Sequence, residues 1–357
     1  MDFIKKIEIT GFRGFEHLIV DDLAQINLFV GKNSVGKTAL LEALFLACSP
    51  NNYEVAARLN VIRGLGQFGK DAQETFRWLF NDADLKRPVT ITDTSWGGTV
   101  TTFKLGLVDP DTTVAGEVSR TVPLLENGAI STIPSPVLRM SVSLNGTEEA
   151  VTVGANTFNS VNIHGNHAIV GQIAWFLSGS AAQPMEVQTL FSQIVQSGGR
   201  PKLIQWLKKV DSRVESLEIL SLRDSTALYA VFHDGFSLPV KMLGAGFNRA
   251  LDYFLLILGQ PNTCLMIDEI EEGIHHSALE SVWHSILVAA VDSGVQIFAT
   301  THSYESLSAL NAAHGELLPG APTIKVTRLV RREHQTVAVN YDDKVLSAAV
   351  EMELEVR

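Results

Sequence analysis

The 357 residues, 46% hydrophobic and 19% charged, suffice for two ordinary domains or for one core domain carrying a large insertion, and exclude a disordered, fibrous or low-complexity chain. A formal net charge of −11 means that any nucleic-acid contact needs a local basic patch working against the overall field. The two cysteines, Cys48 and Cys264, each sit inside an apolar segment, which excludes a disulfide framework and a cysteine metal site.

The opening stretch "MDFIKKIEITGFRGF" alternates apolar and polar residues and lacks the continuous apolar core of a signal peptide, so it reads as a strand. Residues 1–88 continue as turn, strand, glycine loop and helix, then as a helical stretch with glycine interruptions, in which "FRWLF" (76–80) is expected to pack as an apolar face. Residues 89–210 form an insertion or arm. Up to about residue 168 it is rich in Thr, Val and Ser with frequent turn residues, as in "VTITDTSWGGTVTTFKLGL" and "LRMSVSLNG", which predicts β-structure, and it becomes helical towards "LIQWLKKVD".

Residues 211–357 begin with short strands, "LEILSL", "ALYAVFH" and "FSLPVKM", and alternate helix and strand over 247–345. The most apolar window, 251–267, is broken by "GQPNT" well short of the ~20 residues a membrane span requires, so a soluble, cytoplasmic protein with no membrane partner is expected. Three runs, "INLFVG", "TCLMID" and "VQIFATTH", have the continuous hydrophobicity of strands buried on both faces of a parallel sheet, and each ends in polar residues. That is where ligands of open α/β sheets bind. No internal repeat or long heptad seam is present.

Gly31, Lys32, Asn33, Ser34, Val35, Gly36, Lys37 and Thr38 fit the G-x4-G-K-[ST] phosphate loop, set between a strand and a helix that continues with Ala39. Backbone N–H groups of such a loop and of the helix start cradle phosphate oxygens, Lys37 reaches the β/γ-phosphates, and the Thr38 hydroxyl is offered to Mg²⁺. Asp268 and Glu269 end the strand "LMI". Asp268 is placed to hold the Mg²⁺ hydration shell and Glu269 to polarise the water attacking the γ-phosphate. Lys37 and Asp268 lie more than half the chain apart, so the intervening material must be looped out of the sheet, and the absence of an N-K-x-D motif favours ATP over GTP.

Before Asp268, "LGAGFNRALDYFLLIL" opens an apolar helix on a Gly-x-Gly turn; after it, Thr300, Thr301, His302 and Ser303 close a strand. Here the sequence resembles the ABC-type ATPases, with a signature turn before the Walker B strand and a histidine switch after it. More closely it is similar to their RecF/SMC/OLD branch, through "IEITGFRGF", "VGKNSVGKTALLEAL", "LGAGFNRAL", "IDEIEEGIHHSAL" and "QIFATTHSYE". The pattern looks like the stand-alone ATPases of that branch, some of which serve in anti-phage systems such as Septu and PARIS.

The resemblance implies an α/β fold: an ABC-type P-loop NTPase head with a mainly parallel core sheet, an antiparallel β subdomain, and a β/α insertion in place of a long coiled coil. It implies two ATPs, with Mg²⁺, sandwiched between two heads, Gly244 and Gly246 of one copy completing the phosphate site of the other. A homodimer, and room for a higher oligomer, follow. Lys37, Glu269 and His302 are the implied catalytic set, and Thr38 and Asp268 the implied metal ligands. The turn reads Gly-Ala-Gly, whereas relatives place a polar or acidic residue where Ala245 sits, so slow hydrolysis is expected, with Arg249 either compensating or pairing with an acidic residue.

Arg13 is implied to touch the nucleotide, and Gln67 and Gln73 are candidates for the glutamine loop by position. His275 and His276 do not make a metal site on their own, and His275 is expected in a dimer-facing loop. The expected function is an ATP-driven switch that acts on a protein effector, a nuclease or toxin. The alternatives are a RecF-like DNA-binding ATPase in repair or an OLD-like nuclease subunit, for which the stretch after His302 is too short to carry a TOPRIM domain. Nucleic acid would be met by Arg200, Lys202, Lys208, Lys209 and Arg213, otherwise a solvated helix face.

Overall fold

A computed structural model describes residues 2–48, 55–56, 59–60, 63, 76–108, 119–123, 137–155, 160–164, 174–178, 187–222, 225–315, 323–333 and 335–341. Gln67 and Gln73 lie outside these residues. In chain order the first elements are β1 (Ile4–Phe12), β2 (Phe15–Val20), β3 (Ile26–Val30) and α1 (Lys37–Cys48), followed by 3-10 turns at Arg77–Leu79 and Asn81–Ala83. The strands β4 (Val89–Ser95), β5 (Val100–Val108), β6 (Ser119–Pro123), β7 (Val137–Leu144), β8 (Thr147–Ala155), β9 (Ser160–His164) and β10 (Ala174–Leu177) come next. Then follow α2 (Val187–Gln196), α3 (Arg200–Val210), β11 (Val214–Leu222), β12 (Ser225–Phe232), β13 (Ser237–Pro239) and α4 (Ala245–Gly259). Last are β14 (Cys264–Ile267), α5 (His276–Ser293), β15 (Gln296–Thr300), α6 (Tyr304–Gly315), β16 (Ile324–Arg332) and β17 (Gln335–Tyr341).

The core sheet runs β10-β14-β15-β3-β16-β17, parallel throughout except for the final β16–β17 pair. Alternate residues of its central strands serve two different cores. Ile26, Leu28, Ile267, Ile297 and Ala299 face the helices α2 to α6, while Phe29, Met266 and Phe298 face α1 and the N-terminal strands. Burial on both faces is why these runs contain no polar alternation. Phe29 and Phe298 stack with centroids 6.5 Å apart on adjacent strands. Full burial of such side chains contributes about 1.5–3 kcal/mol each.

A second, antiparallel sheet runs β2-β1-β4-β5-β7-β8-β9-β6, and β11-β12-β13 form a third. The boundary drawn at 88/89 falls inside the second sheet, because β4 pairs directly with β1, Ile91 opposite Ile9. The "insertion" therefore begins as the continuation of the first hairpin. Its helical end, α2 and α3, joins α4 and α5 in the core beneath the parallel sheet.

Parallel register places the functional loops side by side. Ile267 pairs with Ala299 and Thr300 with Phe29, so the chain leaves β3, β14 and β15 at one edge. α1 starts there and is buried along nearly its whole length between the two sheets, which is possible because its only charged side chain beyond Lys37 is Glu42.

Candidate functional site

An open cleft of about 1020 Å³ sits at that edge, floored by residues 33–39 and walled by Arg13–Phe15, by Trp78–Ala83, by Asp268, Glu269 and His302, and by Arg331 and Thr336. The loop curls because Gly31 (φ 144°), Ser34 (φ 62°) and Gly36 (φ 108°) adopt positive φ. A Cβ on Gly36 would lie 2.7 Å from the Phe15 ring, so the approach of the loop to the first hairpin demands glycine. Thr336 of β17 donates to the Val35 carbonyl at 3.2 Å and secures the other side.

Lys37 Nζ donates to the Gly31 carbonyl at 2.7 Å and the Lys32 carbonyl at 3.3 Å, so the ammonium is folded into its own loop. Burial pushes its pKa down, while the carboxylates of Asp268, Glu269 and Glu271 pull it up. Asp268 is held from two sides: Thr38 Oγ1 donates to Oδ2 at 2.8 Å and Thr300 Oγ1 to Oδ1 at 2.5 Å. Thr300 in turn accepts from the Glu269 N–H at 2.9 Å. Glu269 itself takes φ 54°, a conformation costing of order 1–3 kcal/mol for a residue with a side chain, and this turns its half-exposed carboxylate out of the strand into the cleft.

His302 follows Thr300 and Thr301 at the end of β15. Its Nδ1 lies 3.6 Å from Glu269 Oε1 and 3.4 Å from Glu271 Oε1. The His302 N–H donates to the same Glu271 oxygen at 3.1 Å, while Glu271 Oε2 is buried without a hydrogen bond to a described residue. Lys37, Thr38, Asp268, Glu269 and His302, scattered in sequence, thus meet in one cleft with a glycine loop beneath them. A phosphate fits this donor set: a cation, a helix start and left-handed turns aim N–H groups inward. Thr38 and Asp268 offer adjacent oxygens, the chemistry a magnesium ion takes.

Comparisons with known proteins agree with this geometry. Residues 3–94 match the family model "AAA ATPase domain", and residues 179–308 match "AAA domain, putative AbiEii toxin, Type IV TA system". The chain is similar to an "ATP/GTP phosphatase" of Helicobacter pylori, 20% identical over 347 residues, 86% of this chain and 87% of that protein. It is also similar to the "DNA replication and repair protein RecF" of Lactococcus lactis subsp. cremoris, 34% identical over 64 residues, 18% of each chain. Among solved structures, an SMC head bound to the C-winged helix domain of ScpA superposes with TM-score 0.51 at 10% identity, over 95% of this chain and 98% of that one. Together these matches support a RecF/SMC-like ABC-type ATPase.

In this ATPase the signature turn stands apart from the cleft. Gly244 caps α4, and Gly246 packs so tightly that a Cβ there would lie 2.5 Å from the Gly273 carbonyl. Neither lines the pocket that holds Lys37. Arg249 is engaged rather than free, its Nη2 3.2 Å from Glu272 Oε2 and 3.5 Å from the Asp268 carbonyl. His275 caps α5, receiving the Ser277 N–H, and its ring lies 4.1 Å from that of His276. No group of three or more metal-ligating side chains occurs among the described residues.

Arg13 lines the cleft, but its Nε pairs with Glu42 at 2.5 Å. "FRWLF" departs from the expected apolar face: Phe76, Leu79 and Phe80 are buried, while Trp78 is 54% exposed at the cleft rim. Sequence reading missed Thr300 as the second clasp on Asp268, and missed Glu42, fully buried between Arg13 and Arg63, whose Nε is 2.7 Å from Glu42 Oε1. A charged residue inside an otherwise apolar helix was the available signal for Glu42. No helix among the described residues is long and apolar enough to cross a membrane.

Proposed function

We propose that this ATPase binds ATP with Mg²⁺ in the cleft, closes head-to-head on a second copy so that Gly244 and Gly246 of one subunit meet the γ-phosphate held by the other, and relays this state to a protein effector. The observation carrying the proposal is the division of parts. Cradle, acidic pair and histidine share one cleft, whereas the signature turn lies outside it, and a Cβ on Gly244 would meet no described atom within 4 Å. A turn that leaves open space over a helix start is suited to an anion arriving from outside.

Within the cleft, Lys37 and the loop amides bind the phosphates, and Thr38 and Asp268 hold the metal. Mg²⁺, when bound, neutralises charge developing between β- and γ-phosphates. Glu269 polarises the attacking water, and His302, positioned by Glu271, hydrogen-bonds at the γ-phosphate side. A nuclease or toxin is the effector we favour. Residues 179–308 of the chain itself match a family described as a putative AbiEii toxin of a type IV system, and anti-phage defence is the setting we propose.

The RecF-like DNA-binding alternative is weakened by the state of the basic cluster. Lys202 pairs with Asp292 at 2.7 Å, Lys208 with Glu215 at 3.5 Å, Arg213 with Asp211 at 2.8 Å, Arg200 donates to the Leu217 carbonyl at 2.9 Å, and Lys209 meets His284 at 3.2 Å. Three of those cations already pair with carboxylates of their own chain, and Arg200 and Lys209 are engaged by a carbonyl and an imidazole.

Mixing two inactive chains tests the shared site. Lys37→Ala lacks the cradle but keeps the turn; Gly246→Val lacks the turn but keeps the cradle. Each alone should be inactive, and the mixture should regain hydrolysis. A mixture as inactive as its parts would sink the head-to-head reading.

A further inference from the structure

Lys37, Thr38 and the loop fix where phosphate charge is held, but read nothing of a base. Another wall of the cleft is built on a different element from the strand ends carrying Asp268, Glu269 and His302. Of the cleft's lining Phe, Tyr and Trp side chains among the described residues, Phe15 and Phe80 are buried in the core, and Trp78 alone presents its ring to solvent, 54% exposed. Indoles are among the side chains least often left so open without a contact to make.

The backbone beneath Trp78 is held firmly. The Arg13 N–H donates to the Leu79 carbonyl at 2.9 Å, Arg13 Nη1 to the Trp78 carbonyl at 3.4 Å, and Asn81 Nδ2 to the Arg13 carbonyl at 2.7 Å. Phe12 and Phe80 add a β-bridge. Two consecutive positive φ angles, 52° at Asp82 and 55° at Ala83, fold the segment back along the rim, and both residues line the cleft. Glu42, on α1 one turn beyond Thr38, is 2.5 Å from Arg13 Nε and 2.7 Å from Arg63 Nε. It locks this wall to the helix that carries the phosphate-binding residues. A rigid aromatic surface at a fixed offset from a phosphate cradle is pre-organised for a flat heterocycle.

We propose that residues 77–83 form the base wall of the nucleotide site, with the Trp78 indole stacking on a purine and the acceptor-only Asp82 carboxylate facing its amino edge. The assignment rests on the cleft being a nucleotide site and names the ring it takes. Asp82 can accept from an exocyclic amino group, which adenine and guanine both carry, so the wall selects a flat purine and not one purine over the other.

Binding of ATP and of inorganic tripolyphosphate to the full chain, each with Mg²⁺, separates base from phosphate. Trp78→Ala should weaken ATP about tenfold, a typical stacking contribution, leave tripolyphosphate unchanged, and be largely rescued by Trp78→Phe. Asp82→Asn should weaken ATP by less than Trp78→Ala does and leave tripolyphosphate unchanged. Equal weakening of both ligands by Trp78→Ala, or no weakening of either, would overturn the base wall while leaving the phosphate site intact. A wild-type chain that binds neither ligand would overturn both.

Discussion

In the loop 31–36 the backbone turns left-handed at Gly31, Ser34 and Gly36 and curls beneath a cleft that its own chain completes with two carboxylates and a histidine. The turn 244–246 keeps φ −56° at Gly244, opens α4, and lines no part of that cleft. Both are glycine turns before apolar helices, yet glycine is needed for different reasons. At 31 and 36 the backbone conformation requires it; at 246 the Gly273 carbonyl leaves no room for a side chain. One turn is a finished site and the other a packed surface with an open end. A Gly-x-Gly spelling before an apolar helix therefore does not by itself say which backbone requirement the glycines meet.

The sharpest way to break the comparison is to empty the finished site. Lys37→Ala should abolish hydrolysis and cost about 2–5 kcal/mol of ATP binding, since it removes one partner of a desolvated charge pair; calorimetry with ATP checks it. Glu269→Gln should lower kcat by about 10²–10⁴ while leaving binding intact, as loss of a general base does. If binding fell equally, Glu269 would be a structural residue.

Next comes the contact that ties the histidine. Glu271→Gln keeps an oxygen for the His302 N–H but loses the charge beside its ring, so kcat should fall about 10- to 100-fold with KM little changed. In a His302→Ala background the same change should cost nothing further. Gly246→Ala should remove about 1–3 kcal/mol of stability through overpacking, read by denaturant titration, and slow hydrolysis without weakening ATP binding to one chain. Unaltered hydrolysis would make the turn a mere helix cap. Smallest of all, reversing Lys208 and Lys209 should move stability by under about 0.5 kcal/mol, Lys209 being exposed and Lys208 partly so, and leave hydrolysis unchanged.

Legibility followed the same divide. The phosphate loop and the strands carrying Asp268 and His302 were readable because continuous apolar runs ending in polar residues have one physical explanation, burial on both faces with chemistry at the end. The pairing across residues 88/89 was not readable because β4 alternates like any antiparallel strand, and nothing in its residues says that its partner is β1 rather than a strand of its own segment. Trp78 was misread for a related reason. A 3-10 turn buries its residues by the local rim, not by a helical period, so "FRWLF" was expected to pack as one apolar face and Trp78 does not. Thr300 and Glu42 act through partners far along the chain, which spacing cannot reveal.

The central claim is that this chain holds half of each ATP site. Measuring the solution mass of Glu269→Gln by light scattering, with and without ATP and Mg²⁺, addresses it most directly. The expected result is a monomer that becomes a stable dimer, or an even multiple of it, only with ATP, and that stays monomeric when Gly246→Val is added. A Glu269→Gln chain that binds ATP fully yet remains monomeric at every concentration would contradict the account.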